Sequence, residues 1–151
     1  MNSLSPNSDC HEVFTIGYQG RNISEFIEIL NKNMIKVLID VRASGFSRKP
    51  YFSRGRLKEK IEQSKIEFVS LPEVGTPKEL REYLKKTGDY ETFFRRYSSH
   101  IERNKLLPAL EKNINGERVC MMCFEREAEK CHRSVLAEKL KENMNVIIGH
   151  I

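Results

Sequence analysis

The residues best suited to chemistry lie close together late in the chain. Glu117-Arg118-Val119-Cys120-Met121-Met122-Cys123-Phe124-Glu125 runs through a charged loop into Cys131-His132-Arg133. Four chemistries compete for this set. The two-residue gap between Cys120 and Cys123 suggests zinc, but residues three apart on an extended strand face opposite sides, and the neighbours Cys131 and His132 are not expected to reach one ion together. A thiol at a helix N-terminus beside His and Arg should carry thiolate at neutral pH, which makes Cys131 a candidate nucleophile or redox group with Cys123 as its partner. Buried cysteine is also common core material, and Cys120 fits that description. Finally, His132 and Arg133 with the start of a helix make an anion site that needs no covalent step, with Glu125 as general base or as an ion-pair partner of Arg42 or Arg133. Anion binding ranks first as a component, thiol chemistry second and metal last.

Positioning these groups requires a strand, a loop and a helix. Val119 to Phe124 is apolar enough for a short buried strand, and from Ser134 onward Val135, Leu136, Ala137 and Leu140 recur at helical spacing. Earlier segments repeat the alternation. Val13 to Gly17 predicts a first strand, and Asn22 with Glu25 a capping box before a helix that buries Phe26, Ile27 and Leu30. Val37 to Val41 predicts a second strand, Leu57 and Ile61 a short helix from near Ser53, and Ile66 to Val69 a third strand. Thr76-Pro77-Lys78-Glu79 reads as a helix start with Thr76 as cap and Pro77 at the first position. A helical region then runs to about Asn113, in which Tyr90, Phe93, Phe94, Tyr97 and Ile101 are core and Pro108 kinks the helix or begins another. Val146 to Ile148 predicts the last strand.

The expected fold is therefore α/β, three-layered, with a mainly parallel sheet of about five strands and helices on both faces. Residues 1–11 read as a disordered tail and 12–151 as a single α/β domain. The unusual residues follow strands and do not precede them: Tyr18 and Gln19, Arg42 to Arg48, Gly75 and Thr76, Cys123 and Glu125, and His150. Loops at the carboxyl ends of parallel strands share one edge, so these segments should meet in one cleft.

The 151 residues are 39% hydrophobic and 31% charged, as for an ordinary globular chain, with a net charge of +5. No apolar run approaches the ~20 residues that span a bilayer, and the polar start lacks a signal-peptide pattern, so a cytoplasmic protein with no membrane partner is expected. Its four cysteines are then expected to be reduced. Positive charge is concentrated between Arg42 and Lys60, where seven basic residues face one acid and Phe46, Tyr51 and Phe52 are interleaved. Arginines that pair with phosphates and aromatics on which bases stack are the makings of a nucleotide or nucleic-acid surface, although a solvated basic loop has the same composition. Phosphate-loop and dinucleotide glycine signatures are absent, which argues against a nucleoside triphosphatase or dinucleotide enzyme, and nothing suggests a serine triad.

Thr15-Ile16-Gly17-Tyr18, Ile39-Asp40-Val41-Arg42 with Ser47-Arg48, Leu71-Pro72-Glu73-Val74-Gly75, Met122-Cys123-Phe124-Glu125, Cys131-His132-Arg133 and His150-Ile151 together resemble the domain of unknown function 488 family, from about Val13 to Ile151. The resemblance implies a compact α/β domain with a shared pocket. A His commonly stands in that family where this chain has Tyr18, and some members carry a DNA-repair label. A looser likeness to rhodaneses and cysteine phosphatases rests on Ile39-Asp40-Val41-Arg42 and on strand, cysteine, loop and Arg133-Ser134. Here that loop carries Glu125, Glu127 and Glu129 and no glycine, and acids repel a phosphate or thiosulfate.

The combined expectation is a small enzyme acting on a nucleotide or nucleic acid. Cys123, Glu125, Cys131 and His132 supply the reacting group, and Tyr18, Asp40, Arg42, Ser47, Arg48, Arg133 and His150 bind substrate. Phosphates fall to Arg42, Arg48 and Arg133, and a base to Tyr18, Phe46 or Tyr51. No metal or other cofactor is expected. A rhodanese- or phosphatase-like transferase and a non-catalytic nucleic-acid-binding module are the alternatives.

Overall fold

The computed structural model of the chain describes residues 10–151; the rest of the expected tail lies outside the described residues. Five strands make one parallel sheet in the order β3-β2-β4-β1-β5. They are β1 (His11–Gly17), β2 (Val37–Asp40), β3 (Glu67–Ser70), β4 (Val119–Cys123) and β5 (Val146–His150). The central strand β4 is buried at every position, and Val119 pairs with Val13 on one side and Val37 on the other. A strand covered on both faces needs an unbroken apolar run, which is why Val119 to Cys123 shows no polar alternation.

Six helices cover the two faces. They are α1 (Ile23–Lys32), α2 (Arg54–Gln63), α3 (Lys78–Thr87), α4 (Tyr90–Arg103), α5 (Leu107–Glu111) and α6 (Arg133–Asn143). Crossovers between parallel strands are right-handed, so steps in opposite directions along a sheet put their helices on opposite faces. Travelling from β1 through β2 to β3, the chain lays α1 and α2 on one side, where Phe26, Leu30, Leu57 and Ile61 meet Leu38, Cys120 and Met122. It returns to β4 and on to β5 along the other side, where α3 to α6 pack Leu80, Tyr97, Leu110 and Leu136 on Ile39, Met121 and Cys123. The direction reverses between β2 and β4, so the crevice above their carboxyl ends is where such a sheet receives a ligand. Among the described residues no helix is long and apolar enough to cross a membrane.

The capping box forms as expected: the Glu25 amide donates to Asn22 Oδ1 at 2.8 Å and the Asn22 amide to Glu25 Oε1 at 2.9 Å. Some details differ from expectation and one decides between two alternatives; Tyr90, expected in the core, is 38% exposed. Pro77 is the cap residue of α3, not its first helical residue, and Thr76 makes no cap but is buried beneath it. The region to Asn113 is three helices: Gly88, left-handed at φ 67°, ends α3, and the Asp89 side chain accepts from the Thr92 amide to start α4. Pro108 sits in the first turn of α5, so it begins a helix and does not kink one.

Candidate functional site

Two glycines allow loops from different strands to meet above the sheet. A Cβ on Gly17 would lie 1.8 Å from the Glu125 carbonyl oxygen, and one on Gly75 would lie 2.3 Å from the Ala43 nitrogen. The loop after β4 therefore closes against the end of β1, and the loop after β3 against that after β2. The Tyr18 and Gln19 amides extend the ladder by donating to the Cys123 and Phe124 carbonyls at 3.2 and 2.9 Å. Arg133, 1% exposed, holds the β4 loop from behind, donating through Nη1 to the Glu125 carbonyl and through Nη2 to the Arg126 carbonyl.

A second buried arginine secures the β2 loop. Arg42 donates from Nε and Nη2 to the two Asp40 carboxylate oxygens, at 2.8 Å each. Its Nη1 donates to the Phe52 carbonyl at 2.8 Å and to the Tyr18 hydroxyl at 3.3 Å. Arg54 adds a contact to Asp40 Oδ2 at 3.2 Å. The Tyr18 ring stacks on Phe52 at 4.5 Å, and its hydroxyl also donates to Ser47 Oγ at 3.3 Å. Asp40, Arg42 and Ser47 thus bind the basic loop to the sheet, and little of the Arg42 fork is left for a phosphate.

At the base of the crevice two thiols face one imidazole. Cys123 Sγ lies 3.6 Å and Cys131 Sγ 3.7 Å from His132 Nδ1. The other ring nitrogen, Nε2, is 2.9 Å from the Val41 carbonyl, which can only accept, so Nε2 carries the proton. In the neutral ring the Nδ1 lone pair then points at the sulfurs. Tyr97 packs edge-on to the ring at 5.2 Å and donates its hydroxyl to the Val74 carbonyl, which fixes the imidazole in place. The expected divergence of Cys131 and His132 does not occur. Cys131 is extended (φ −127°, ψ 145°) and His132 is already helical (φ −59°, ψ −20°), so the backbone turns between them and both side chains reach one point. Cys120 does face the opposite side of β4, in the other core, as an alternating strand requires.

The electrostatics separate the two thiols. Burial disfavours a thiolate at Cys131, but the hydrogen bond from Cys123 and the charges of His132 and Arg133 outweigh it and hold Cys131 well below the usual thiol range. Cys123 is pushed well above that range, first by donating to Cys131 and then by burial. Burial opposes charge on His132, but the adjacent Cys131 raises it. Burial, then the Cys131 charge, pushes the half-buried Glu125 carboxyl up to about 7. Burial alone pushes Cys120 up, as expected of a core thiol.

Above this base opens a cleft of about 520 Å³. Cys123, Glu125 and His132 line its floor, with Tyr18 and Arg42 beside them. Four of the five strand-end segments meet there, from β1 (Tyr18), β2 (Arg42), β3 (Thr76) and β4 (Cys123, Glu125). Cys131 lies behind the floor and is 1% exposed. Arg48 is exposed but does not line the cleft, and Arg133 faces the loop from below. His150, on edge strand β5, hydrogen-bonds through Nδ1 with Thr15 Oγ1 and stays outside the cleft. The walls and rim hold residues outside the expected site set: Arg81 and Lys85 from α3, Tyr90 from α4, and Phe124 and Lys130 from the β4 loop. Arg81 and Lys85 are four apart, hence on one helical face, but nothing local in the sequence indicates that this face looks over the thiols.

The family model described as Domain of unknown function DUF488 matches residues 22–140. No curated protein and no solved structure matches the chain. With most of its length covered, including the segments that carry Arg42 and Cys123 and the start of α6, the chain belongs to the DUF488 family.

Proposed function

We propose that this member of the DUF488 family is a small enzyme acting on a nucleotide, with Cys123, Glu125, Cys131 and His132 as its reacting centre. One observation carries the reading: a Cys/His/Glu floor lies under a rim that is both aromatic and cationic. Phe46, 71% exposed, Tyr90 and Phe124 offer ring faces to a base. Arg81 and Lys85 stand over the floor with no ion pair among the described residues, and Lys130 is held only by an exposed contact with Glu127. The phosphate role expected of Arg42 and Arg133 passes to these three, because both buried guanidinium groups are engaged with internal acceptors. A volume of about 520 Å³ suits one nucleotide unit, free or at the end of a strand.

A rhodanese- or phosphatase-like transferase is less well supported. It needs an exposed thiolate in a cradle of backbone N–H groups, whereas the Cys131 sulfur is buried and the Cys131 amide is committed to the Ala128 carbonyl.

Calorimetric titration with mononucleotides and short single-stranded oligonucleotides tests the proposal. Binding should weaken about tenfold or more when Arg81 and Lys85 are both replaced by Ala, since charge-assisted phosphate contacts contribute about 1.5 kcal/mol or more together. Turnover of any bound substrate should vanish in Cys123→Ala while binding persists. Binding without turnover by the parent would leave a non-catalytic module, and turnover that survives Cys123→Ala would remove that thiol from the reacting centre; no binding of any nucleotide would remove the proposal altogether.

A further inference from the structure

We infer that Cys123, Cys131 and His132 form a zinc site, with the ion's fourth position open to the cleft beside Glu125. The inference concerns the same site as the proposed function, but rests on the ligand geometry and not on the nucleotide reading.

Three observations carry it. The donor atoms Cys123 Sγ, Cys131 Sγ and His132 Nδ1 all lie within 4.8 Å of one another. Tetrahedral zinc, with Zn–S of about 2.3 Å and Zn–N of about 2.0–2.1 Å, sets sulfur and nitrogen about 3.5–3.6 Å apart. The two S···N separations are 3.6 and 3.7 Å, at the value that an ion held between each sulfur and the nitrogen requires. Next, the imidazole is prepared for coordination. Its Nε2–H is held by the Val41 carbonyl at 2.9 Å, the outer contact that metal-bound histidines usually make, and this leaves Nδ1 as the ligating nitrogen.

Accessibility is the third observation. A nucleophilic thiolate must meet its substrate, yet Cys131 is 1% exposed and does not line the cleft. A metal ligand needs only to face the ion. Two soft thiolates with one imidazole select zinc over magnesium, calcium or manganese, which take oxygen donors. Three protein ligands and an open position are the arrangement of a reactive zinc, where a closed structural site would supply a fourth. Glu125 and the cleft lie on that open side, and Cys120, on the far face of β4, is not a ligand. Bound there, the ion would supply a Lewis acid at the floor of the cleft.

The test uses the full chain, purified with and without added zinc and measured by elemental analysis and native mass spectrometry. One zinc per chain is expected, with thermal unfolding shifted upward in zinc relative to chelator. Replacement of the ion by cobalt(II) should give the intense visible bands and sulfur-to-cobalt charge transfer of a tetrahedral dithiolate site. Cys123→Ser and Cys131→Ser should each lower zinc affinity by about tenfold or more and remove the charge transfer, whereas Cys10→Ser should change neither. Should a serine variant fail to fold, alkylation of the wild type decides the matter: zinc must protect Cys123 while Cys10 reacts at an unchanged rate. A wild type that takes up no zinc and shows no cobalt charge transfer overturns the inference, as does metal that survives both serine substitutions. Zinc bound without nucleotide affinity removes only the proposed function; nucleotide turnover by a wild type that takes up no zinc removes only the metal.

Discussion

Arg42 shows how little a side chain's type says about its task. Read along the chain, it is a cation after a strand, ready for phosphate. In the fold it is 6% exposed and clamps Asp40, Phe52 and Tyr18. Its removal leaves a fully buried carboxylate with only Arg54 and the main-chain amide of residue 42, so Arg42→Ala should destabilise the chain by about 3–5 kcal/mol. Arg48→Ala, at an exposed position, should stay within about 0.5 kcal/mol of the parent. Urea denaturation with an unchanged m-value separates the two, and an Arg42→Ala midpoint equal to that of the parent would refute the clamp. Glu125 supports a pH prediction for the metal-free chain, held in chelator. Its carboxyl is pushed up to about 7 when folded and returns to the ordinary 4.5 when unfolded, so the folded state binds the extra proton between those values. Stability from this group is therefore complete below about pH 4.5 and lost as pH rises through about 7, by on the order of 1–2 kcal/mol after solvent screening. Glu125→Gln should remove that slope; a parallel pH profile for the two proteins would count against it. Types and spacing made Cys123, Glu125, Cys131 and His132 legible as a set. Their convergence was not legible, because it depends on a change of backbone region between Cys131 and His132 that no residue type dictates.

Elements were legible where burial imposes a pattern. The parallel strands are covered on both faces and must be apolar throughout, so Val37 to Val41 and Val119 to Phe124 could be placed within a residue or so of the observed β2 and β4. The segment between β3 and β4 was harder. It packs on one face only, and its breaks at Gly88 and Leu106 are set by local backbone geometry, not by hydrophobic period. The rim cations of α3 were lost with it, since the side of that helix that meets the cleft follows from how it docks. The glycines at the strand ends are a different case. Gly17 has ordinary backbone angles, and what it supplies is room, with the Glu125 carbonyl in the place of a side chain. Gly17→Ala must therefore push the β4 loop off β1, and should cost several kcal/mol along with the alignment of Cys123 with His132. Gly55, in the first turn of α2 with open space around it, offers the control: Gly55→Ala should be neutral or stabilise by up to about 1 kcal/mol. Thermal unfolding of both variants, with cobalt spectra of Gly17→Ala, tests this, and a Gly17→Ala protein with parental stability and spectrum would show that the loop has slack.

At the scale of the molecule, the reversal of strand order between β2 and β4 brings two groups of positive charge to one edge. The α3 face over the cleft carries Arg81 and Lys85, while the loop that carries Phe46 continues into Arg48 and Lys49 outside it. A mononucleotide filling the cleft meets the first pair and Lys130 but not the second pair. A single strand whose end occupies the cleft must leave it, and with a net charge of +5 the chain attracts the phosphates that follow. If the strand leaves over the Phe46 loop, Arg48 and Lys49 take up two further phosphates. Each contact on a single strand adds about 0.7 to the slope of log K against log salt, so replacing both by Ala should lower the oligonucleotide slope by about 1.4. The mononucleotide slope should not change, because neither side chain reaches the cleft. Titrations at several salt concentrations, with parent and double variant and with both ligands, give the four slopes needed. Equal losses for the two ligands would mean that Arg48 and Lys49 act only through the general field, and an unchanged oligonucleotide slope would mean that the strand leaves over α3 instead.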